Sequence, residues 1–273
     1  MPFKALVDRA KLMSYFDHCC KHISKEITGI VHVGAHQCEE RDTYLELFRQ
    51  TDSSILWIEA LPDLVDEMKA KYPEIQIVQA ICSDKERDSA TFYISNYSQC
   101  AGLYPFSKEH KDAFSTIEQI GVEVPHTTLD KLISKADKPK RNMLVVSVNG
   151  AELQVLKGAE TLLEFVDFVF VRFEKAKFHT MNQVKSETPM NEEKKDLPTF
   201  YELNDWLGMN GFLKMESISI SDYSEGLFYI SIDAELELKK RDKEMTDMFQ
   251  LMVEEYNQKN GTEVKTEVYR DEI

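Results

Sequence analysis

A small turn and an acidic residue, each close behind a β-branched run, form the pattern in this sequence that could bind a small molecule. Gly34-Ala35 follows the run Ile30–Val33, and Glu59 is the last polar residue of a second run, 55–60. Such a turn lets backbone N–H groups at the start of the next helix approach a ligand. An acid at the tip of a second strand can accept hydrogen bonds from both ribose hydroxyls. The pair indicates a nucleoside site, and the alternative is an ordinary strand–helix turn.

The glycine content of this turn limits the kind of nucleoside. Only Gly34 is present, and Cys38 stands where a pyrophosphate-binding loop would carry a third glycine. The pattern favours a cofactor with a ribose and an adenine but no phosphates, such as S-adenosylmethionine. Ligands of open α/β sheets lie at the carboxyl ends of the strands. We therefore expect the turn Ala80–Asp84, after the third predicted strand, to lie beside the adenine.

The composition excludes several classes of protein. The chain has 273 residues, 42% of them hydrophobic, and a formal net charge of −15. No apolar run approaches the ~20 residues that span a membrane, and the first residues lack the apolar core of a signal peptide. A cytoplasmic location without a membrane partner is expected. The negative charge argues against a nucleic acid partner, and the odd number of cysteines, 5, argues for reduced thiols.

His18 and His22 are the pair of residues with metal-ligand spacing. They lie four apart on a predicted helix, a spacing that can place two imidazoles on one metal ion. No further ligand is visible nearby in the sequence. We therefore expect no metal, with the pair either solvated or packed.

Strands and helices alternate along residues 28 to 173, and the last two predicted strands form a near-hairpin. This order is typical of one doubly wound, Rossmann-like α/β domain whose mainly parallel sheet has an antiparallel edge strand. After the first two, the predicted strands are 75–81, 90–94, 122–130, 142–148, 167–173, 212–215 and 227–232.

Three stretches lie outside this alternation. Ser95–Gly102 is small and polar, which is the composition of a lid over a site or of a plain surface connection. The charged stretch 182–197 is expected to be a solvated loop. Beyond Ala234 the pattern predicts an exposed or partner-binding helix, through which the chain could form a homo-oligomer. Its apolar residues are Met245, Met248, Leu251 and Met252.

Several motifs, in this order and spacing, resemble the FkbM-type methyltransferase family. They are Val31–His36, Trp57–Ala60, Thr128–Asp130, Asn149-Gly-Ala-Glu-Leu-Gln-Val-Leu-Lys-Gly-Ala159 and Trp206–Phe212. The resemblance implies a seven-stranded methyltransferase-like domain over residues 28–233. It leaves an N-terminal helical segment, 1–27, and a C-terminal helix and tail, 234–273. It also implies S-adenosylmethionine as the cofactor and a hydroxyl of a sugar or small molecule as the methyl acceptor.

The resemblance assigns roles to residues near the expected cofactor. Gly34 and Ala35 would lie beside its methionine part, Glu59 would hold the ribose hydroxyls, and the turn from Ile81 to Asp84 would border the adenine. The residues expected to bind the cofactor are His32, Gly34, Ala35, His36, Glu59, Ala60, Ile81 and Ser83.

The chain departs from the family pattern where acids are expected. His32 and His36 replace an aspartate and an asparagine of the first strand. Ser147 replaces an aspartate of the fourth strand, Arg172 lies where a Thr-Glu-Val sequence is usual, and Ser224–Gly226 replaces Gly-Asp-Ala. These departures favour the alternative function, a catalytically degenerate methyltransferase fold that binds a ligand or protein.

Methyl transfer to a hydroxyl requires a positioned acceptor and a group that removes its proton. His36 or Glu152 could be the base, with Ser147 and Asn149 orienting the acceptor. His36 could instead only line the pocket, and Glu152 could cap its own helix. A third hypothesis is a nucleic-acid methyltransferase, but the negative net charge of the chain argues against it.

Overall fold

Ten strands of the described chain form two sheets. The computed structural model describes residues 14, 16, 18–23, 25–107, 111, 118–174, 198–220 and 224–260. The predicted charged loop at 182–197 therefore lies outside the described residues, as does the end of the predicted tail, 261–273. In chain order the strands are β1 (Ile30–Val33), β2 (Ile55–Glu59), β3 (Gln76–Gln79), β4 (Ile81–Cys82), β5 (Arg87–Ser95), β6 (Gln119–Thr127), β7 (Met143–Val146), β8 (Phe168–Glu174), β9 (Phe212–Ser219) and β10 (Ser224–Ser231).

The main sheet confirms the predicted doubly wound, mainly parallel architecture. Within the described residues its seven strands run in the order β3-β2-β1-β7-β8-β10-β9. The first five of these are parallel to one another. β10 runs antiparallel to both β8 and β9, so the reversed strand lies one position in from the edge. β4, β6 and β5 form the smaller sheet in that order.

The central strands are buried on both faces, as expected for a parallel sheet covered by helices. All four residues of β1 and all four of β7 are buried. Successive side chains alternate between two apolar cores: Ile30 packs in the first, whereas Val31 and Val33 pack in the second. The near-continuous apolar runs that predicted these strands therefore reflect burial on both sides.

Helices cover both faces, and one long helix ends the described chain. No helix in the described part is long and apolar enough to cross a membrane. The helices are α1 (Arg41–Leu47), α2 (Pro62–Lys71), α3 (Leu129–Leu132), α4 (Glu152–Lys157), α5 (Glu160–Leu163), α6 (Phe200–Met209) and α7 (Ile232–Asn260), with 3₁₀ turns at Cys20–His22, Ser98–Cys100 and Lys138–Lys140.

The third predicted strand, 75–81, is divided between the two sheets. β3 pairs with β2, but the backbone N–H of Ala80 donates to the carbonyl of Glu59, and Ile81 then pairs with His126 of β6. The sequence prediction of one strand was wrong here, because the pairing partner β6 lies more than forty residues away. Likewise β5 pairs with β6 and not with the main sheet.

Three side chains of the N-terminal segment contact one carboxylate of β9. Glu216 Oε1 lies 2.7 Å from His22 Nε2, 2.8 Å from Lys21 Nζ and 3.1 Å from His18 Nε2. Burial alone would raise the pKa of Glu216, but hydrogen bonds from Lys21 and His22 and the charge of His18 lower it to about 2. The histidine pair is therefore packed against a carboxylate.

Two glycines allow the strand ends and helices to approach closely. A Cβ on Gly34, whose φ is +85°, would overlap the carbonyl oxygen of Ser147. A Cβ on Gly158 would overlap the carbonyl oxygen of Ser83. Gly158 also accepts a hydrogen bond at its carbonyl from the N–H of Asp130. Gly158, within the motif Asn149–Ala159, is therefore a packing requirement of the fold.

We expect Gly158→Ala to lower the stability of the whole domain. The added Cβ must displace the Ser83 backbone, and overpacking of this kind costs about 1–3 kcal/mol. This corresponds to a fall of roughly 2–10 °C in Tm, measured by thermal denaturation followed by circular dichroism. Gly208→Ala is the matched control, because nothing lies within 4 Å of its added Cβ and alanine is the better helix former. Equal Tm changes in both variants would contradict this account of Gly158.

Candidate active site

A cavity of about 430 Å³ opens at the carboxyl ends of β1, β2 and β7. This size is typical of small-molecule sites, and this edge of an open α/β sheet is where ligands bind. The sequence-predicted site residues that line the cavity are Gly34, His36, Glu59, Ala60, Ile81, Ser147 and Asn149.

The carboxylate of Glu59 connects two turns at the base of the cavity. Its Oε2 accepts from the backbone N–H of His36 at 2.7 Å, and its Oε1 accepts from that of Leu61 at 2.9 Å. Glu59 is only 6% exposed. Burial raises its pKa, although these two N–H donors oppose the shift. Each carboxylate oxygen retains a second acceptor position, so Glu59 can also receive hydroxyl donors from a ligand.

The turn after β1 is tight. Gly34, His36 and Cys38 all have positive φ, at 85°, 46° and 53°. Cys38 thus adopts the left-handed conformation at the position where the sequence pattern of nucleotide loops would have glycine. The N–H groups of Gly34 and Ala35 donate to the carbonyl of Ile58, which holds this turn against β2.

His36 forms a hydrogen-bonded chain with Glu39 and Ser98. Its Nδ1 lies 2.6 Å from Glu39 Oε1, and its Nε2 lies 2.7 Å from Ser98 Oγ. Burial alone would lower the pKa of His36, but the hydrogen bond to Glu39 and the charges of Glu39 and Glu59 raise it. With a proton on Nδ1, the neutral ring donates to Glu39 and accepts the Ser98 hydroxyl at Nε2. This arrangement fits a general base.

A lid formed by residues 97–102 closes one side of the cavity. The side-chain amide of Asn149 donates to the carbonyls of Gln99 and Ala101, at 2.9 and 2.8 Å. Ser98, Gln99 and Ala101 line the cavity. The sequence of Ser95–Gly102 was compatible with either a lid or a plain surface connection. Part of this polar segment forms the cavity wall.

Charges of both signs face the cavity. Arg172, which replaces an expected acid, lines it and donates to Asn149 Oδ1 at 3.4 Å. Glu39 and Glu40 lie opposite on the turn after β1. Burial and the charge of Glu39 raise the pKa of Glu40 to about 7. The cavity can therefore bind a ligand that carries both a cation and an anion.

His32 and Ser83 do not line the cavity, which corrects the expectation that they contact a cofactor. His32 is buried, stacks on Trp57 with ring centroids 4.9 Å apart, and lies 3.0 Å from the Tyr44 hydroxyl through Nδ1. Burial lowers the pKa of His32 to about 3. Ser83 Oγ lies 2.6 Å from His126 Nε2 in the smaller sheet.

Ala35 and Glu152 are also absent from the cavity wall. Ala35 is buried in the first apolar core. The Glu152 carboxylate accepts from the backbone N–H of Gly150 at 3.0 Å, at the start of α4. Glu152 thus binds the turn that precedes its own helix and does not cap the helix N–H groups, and we do not assign it as the base.

Several lining residues were missed from the sequence, among them Glu39, Glu40, Tyr72, Phe92, Ser98 and Leu103. The three-residue spacing from His36 to Glu39 is a local signal that could have been used. Phe92 and Leu103 had no local signal, because the smaller sheet and the lid bring them to the cavity.

The cysteines near the site are thiols. Cys38 and Cys82 line the cavity, and none of the 5 cysteines, all of which lie among the described residues, forms a disulfide. Burial raises the pKa of Cys38, and it raises that of Cys82 to about 12. Among the described residues, no group of three or more His, Cys, Asp or Glu could hold a metal ion.

Residues 32–214 match the family model described as the methyltransferase FkbM domain. Comparison with curated proteins gave no match. Solved structures that resemble the chain include a methyltransferase FkbM from Methylobacillus flagellatus, at 12% identity and a TM-score of 0.43, covering 76% of this chain and 44% of that one. Another is a SAM-dependent methyltransferase from Aquifex aeolicus, at 10% identity and a TM-score of 0.42, covering 83% and 91%.

We expect Asn149→Gly to loosen the lid without unfolding the domain. Glycine accepts the φ of 54° at this position but lacks the amide that binds two lid carbonyls. Each lost bond is worth about 1 kcal/mol, so lid opening should rise roughly 5- to 30-fold. Hydrogen exchange read by mass spectrometry should show faster exchange in 97–102 and no change in β7. Unchanged exchange in the lid would contradict this tether.

Proposed function

The chain belongs to the FkbM methyltransferase family, and on that premise we propose that it transfers the methyl group of S-adenosylmethionine to a hydroxyl oxygen of a sugar or another small molecule. The observation that carries the proposal is the distance of 2.7 Å between His36 Nε2 and a hydroxyl oxygen, that of Ser98. An imidazole nitrogen within hydrogen-bond distance of a hydroxyl in the cavity is placed to act as base toward a second hydroxyl.

The residues of the cavity fit this cofactor. Glu59 has acceptor positions left for the two ribose hydroxyls, and the turn after β1 has too few glycines for a pyrophosphate. Ile81 and Phe92 provide apolar surface suited to the adenine. The acids Glu39 and Glu40 favour a cationic ligand. When bound, the cofactor would supply an electrophilic methyl group on a sulfonium.

His36 and Glu39 would act together on the acceptor. His36 Nε2 would accept the proton of the acceptor hydroxyl, and the bound cofactor would supply the methyl group and leave as the neutral thioether. Glu39 holds the ring through Nδ1 and stabilises the imidazolium that results. Ser98 would give up its position on Nε2 to the acceptor, so it serves as a positioning residue of the lid.

The cavity favours an acceptor with several hydroxyls. Ser98, Gln99 and Ser147 contribute polar groups to the cavity wall, and Ser98 contacts His36. The net charge of −15 disfavours nucleic acid as the acceptor. A sugar or a hydroxylated small molecule fits both observations.

The second candidate is a degenerate fold that binds a ligand without turnover. It is favoured by Ser147 and Arg172, which stand where the family pattern has acids. The two proposals agree on binding but differ on turnover. Binding of the cofactor without methyl transfer to any screened hydroxyl compound would support the second.

We expect the protein to bind S-adenosylmethionine and Glu59→Ala to weaken this binding by about 10- to 100-fold, because charge-assisted hydrogen bonds to the ribose are lost. Isothermal titration calorimetry measures both affinities. Glu67→Ala, on the exposed side of α2, is the matched control and should bind as the wild type does. Near-ultraviolet circular dichroism checks that Glu59→Ala stays folded. Absence of binding by the wild type would refute the proposed cofactor.

The pH dependence of methyl transfer should follow His36. Its pKa is raised above the ordinary value of 6.5, and only the neutral ring accepts a proton, so the rate should rise as pH increases through a pKa above 6.5. Glu39→Gln removes the carboxylate and should move this pKa downward. NMR titration of the His36 ring measures the shift without an acceptor, with His36→Asn identifying the resonance. An unchanged pKa in Glu39→Gln would contradict the proposed pair.

A further inference from the structure

Arg172 brings a positive charge into the cavity from the carboxyl end of β8. Its neighbour in β10 is Gly226, which has no side chain. Val171 and Phe173 pack in the second apolar core, so the alternation of the strand directs Arg172 to the opposite face of the sheet. There it is partly exposed and lines the cavity.

Most of the hydrogen-bond donors of Arg172 are available to a ligand. A guanidinium has five N–H donors. Within the described residues the guanidinium makes one hydrogen bond, from Nη2 to Asn149 Oδ1 at 3.4 Å, and no described carboxylate forms an ion pair with it. Its planar fork matches a carboxylate or a phosphate, which it can bind through two parallel hydrogen bonds.

Asn149 places Arg172 on the side of the cavity that the lid closes. The Asn149 side chain contacts Arg172 through Oδ1 and donates to two lid carbonyls through Nδ2. The same lid carries Ser98, whose hydroxyl lies 2.7 Å from His36 Nε2. Arg172 and the proposed base are therefore linked by one set of contacts around the lid.

The strand order separates Arg172 from the nucleoside end of the cavity. Glu59 ends β2, and three strand spacings, about 14 Å, separate β2 from β8. His36 follows β1, which lies two spacings, about 10 Å, from β8. A single small acceptor can therefore reach both His36 and Arg172, whereas the ribose that Glu59 would bind lies farther away.

We propose that Arg172 binds an anionic group of the methyl acceptor, a carboxylate or a phosphate, so that the substrate is an acidic hydroxyl compound such as a sugar acid or a sugar phosphate. This proposal rests on the proposed function and names the class of its acceptor. The anion would pair with the guanidinium while a hydroxyl of the same molecule lies at His36 Nε2. An acceptor without the anion would leave the charge of Arg172 unpaired in the cavity.

Matched ligands test the charge of the acceptor. D-Glucuronate and D-glucuronamide carry the same hydroxyls but differ in a carboxylate and a neutral amide, and glucose 6-phosphate and glucose differ in a phosphate. In NMR titrations of the full chain with S-adenosylhomocysteine present, at least one anion should bind about 10-fold more tightly than its neutral partner. The anion that binds better identifies the group. Equal affinities within both pairs, or no binding of either anion, would overturn the proposal.

Arg172→Gln tests whether the anion binds at this residue. Glutamine can still donate to Asn149 Oδ1 but carries no charge, so the better anion should bind about 10- to 100-fold more weakly. Arg172→Lys keeps the charge without the fork and should lose only part of the affinity. Lys71→Gln, which removes the other lysine or arginine that lines the cavity within the described residues, is the matched control and should bind the anion as the wild type does. Equal losses in Lys71→Gln and Arg172→Gln would contradict a site at Arg172.

The affinity for S-adenosylmethionine separates this proposal from the proposed function. Isothermal titration calorimetry should give the same affinity in Arg172→Gln and in the wild type, and near-ultraviolet circular dichroism checks that the variant is folded. Loss of cofactor binding in a folded Arg172→Gln would assign the guanidinium to the carboxylate of the cofactor and overturn the proposal. Absence of cofactor binding by the wild type would refute the proposed function itself.

Discussion

The buried carboxylate of Glu59 is the interaction on which the geometry of the cavity depends. It joins the turn after β1 to the turn after β2, through the N–H groups of His36 and Leu61. Placing a carboxylate in a buried position is unfavourable, and these two donors offset part of that cost. Because the backbone of His36 is held in this way, its ring is directed toward Glu39 and the lid. One buried acid thus orders the floor of the cavity and, through His36, the side of the cavity that faces the lid.

The strands were predictable where burial on both faces gives continuous apolar runs, as in β1 and β7. Gly34, Glu59 and Ser147 lie together on the cavity wall, since the ends of parallel strands meet at one edge. The prediction for His32 was wrong although the alternation of a strand was available: Val31 and Val33 share one face, so His32 had to face the other. The division of β3 from β4 and the approach of Ser98 depend on contacts between distant segments, which no local pattern reveals.

The residues of the motif that identifies the family contribute to packing more than to chemistry. Gly158 is needed because the Ser83 backbone passes beside it, and Asp130 caps α5 by accepting from the N–H groups of Thr161 and Leu162. Glu152, the acidic residue of the motif, binds the backbone of the turn before its helix. Family membership therefore follows from the scaffold, whereas the lid residues and Arg172, which line the cavity, lie outside the motif.

The thiols beside the cavity would be close to the reactive methyl group of a bound sulfonium cofactor. Such a cofactor is an alkylating agent, and thiolates are the side chains most readily alkylated. Cys38 and Cys82 lie within the cavity wall, yet burial keeps both as unreactive thiols. With the proposed cofactor bound, the apolar packing at the strand ends would therefore also limit alkylation of these two thiols.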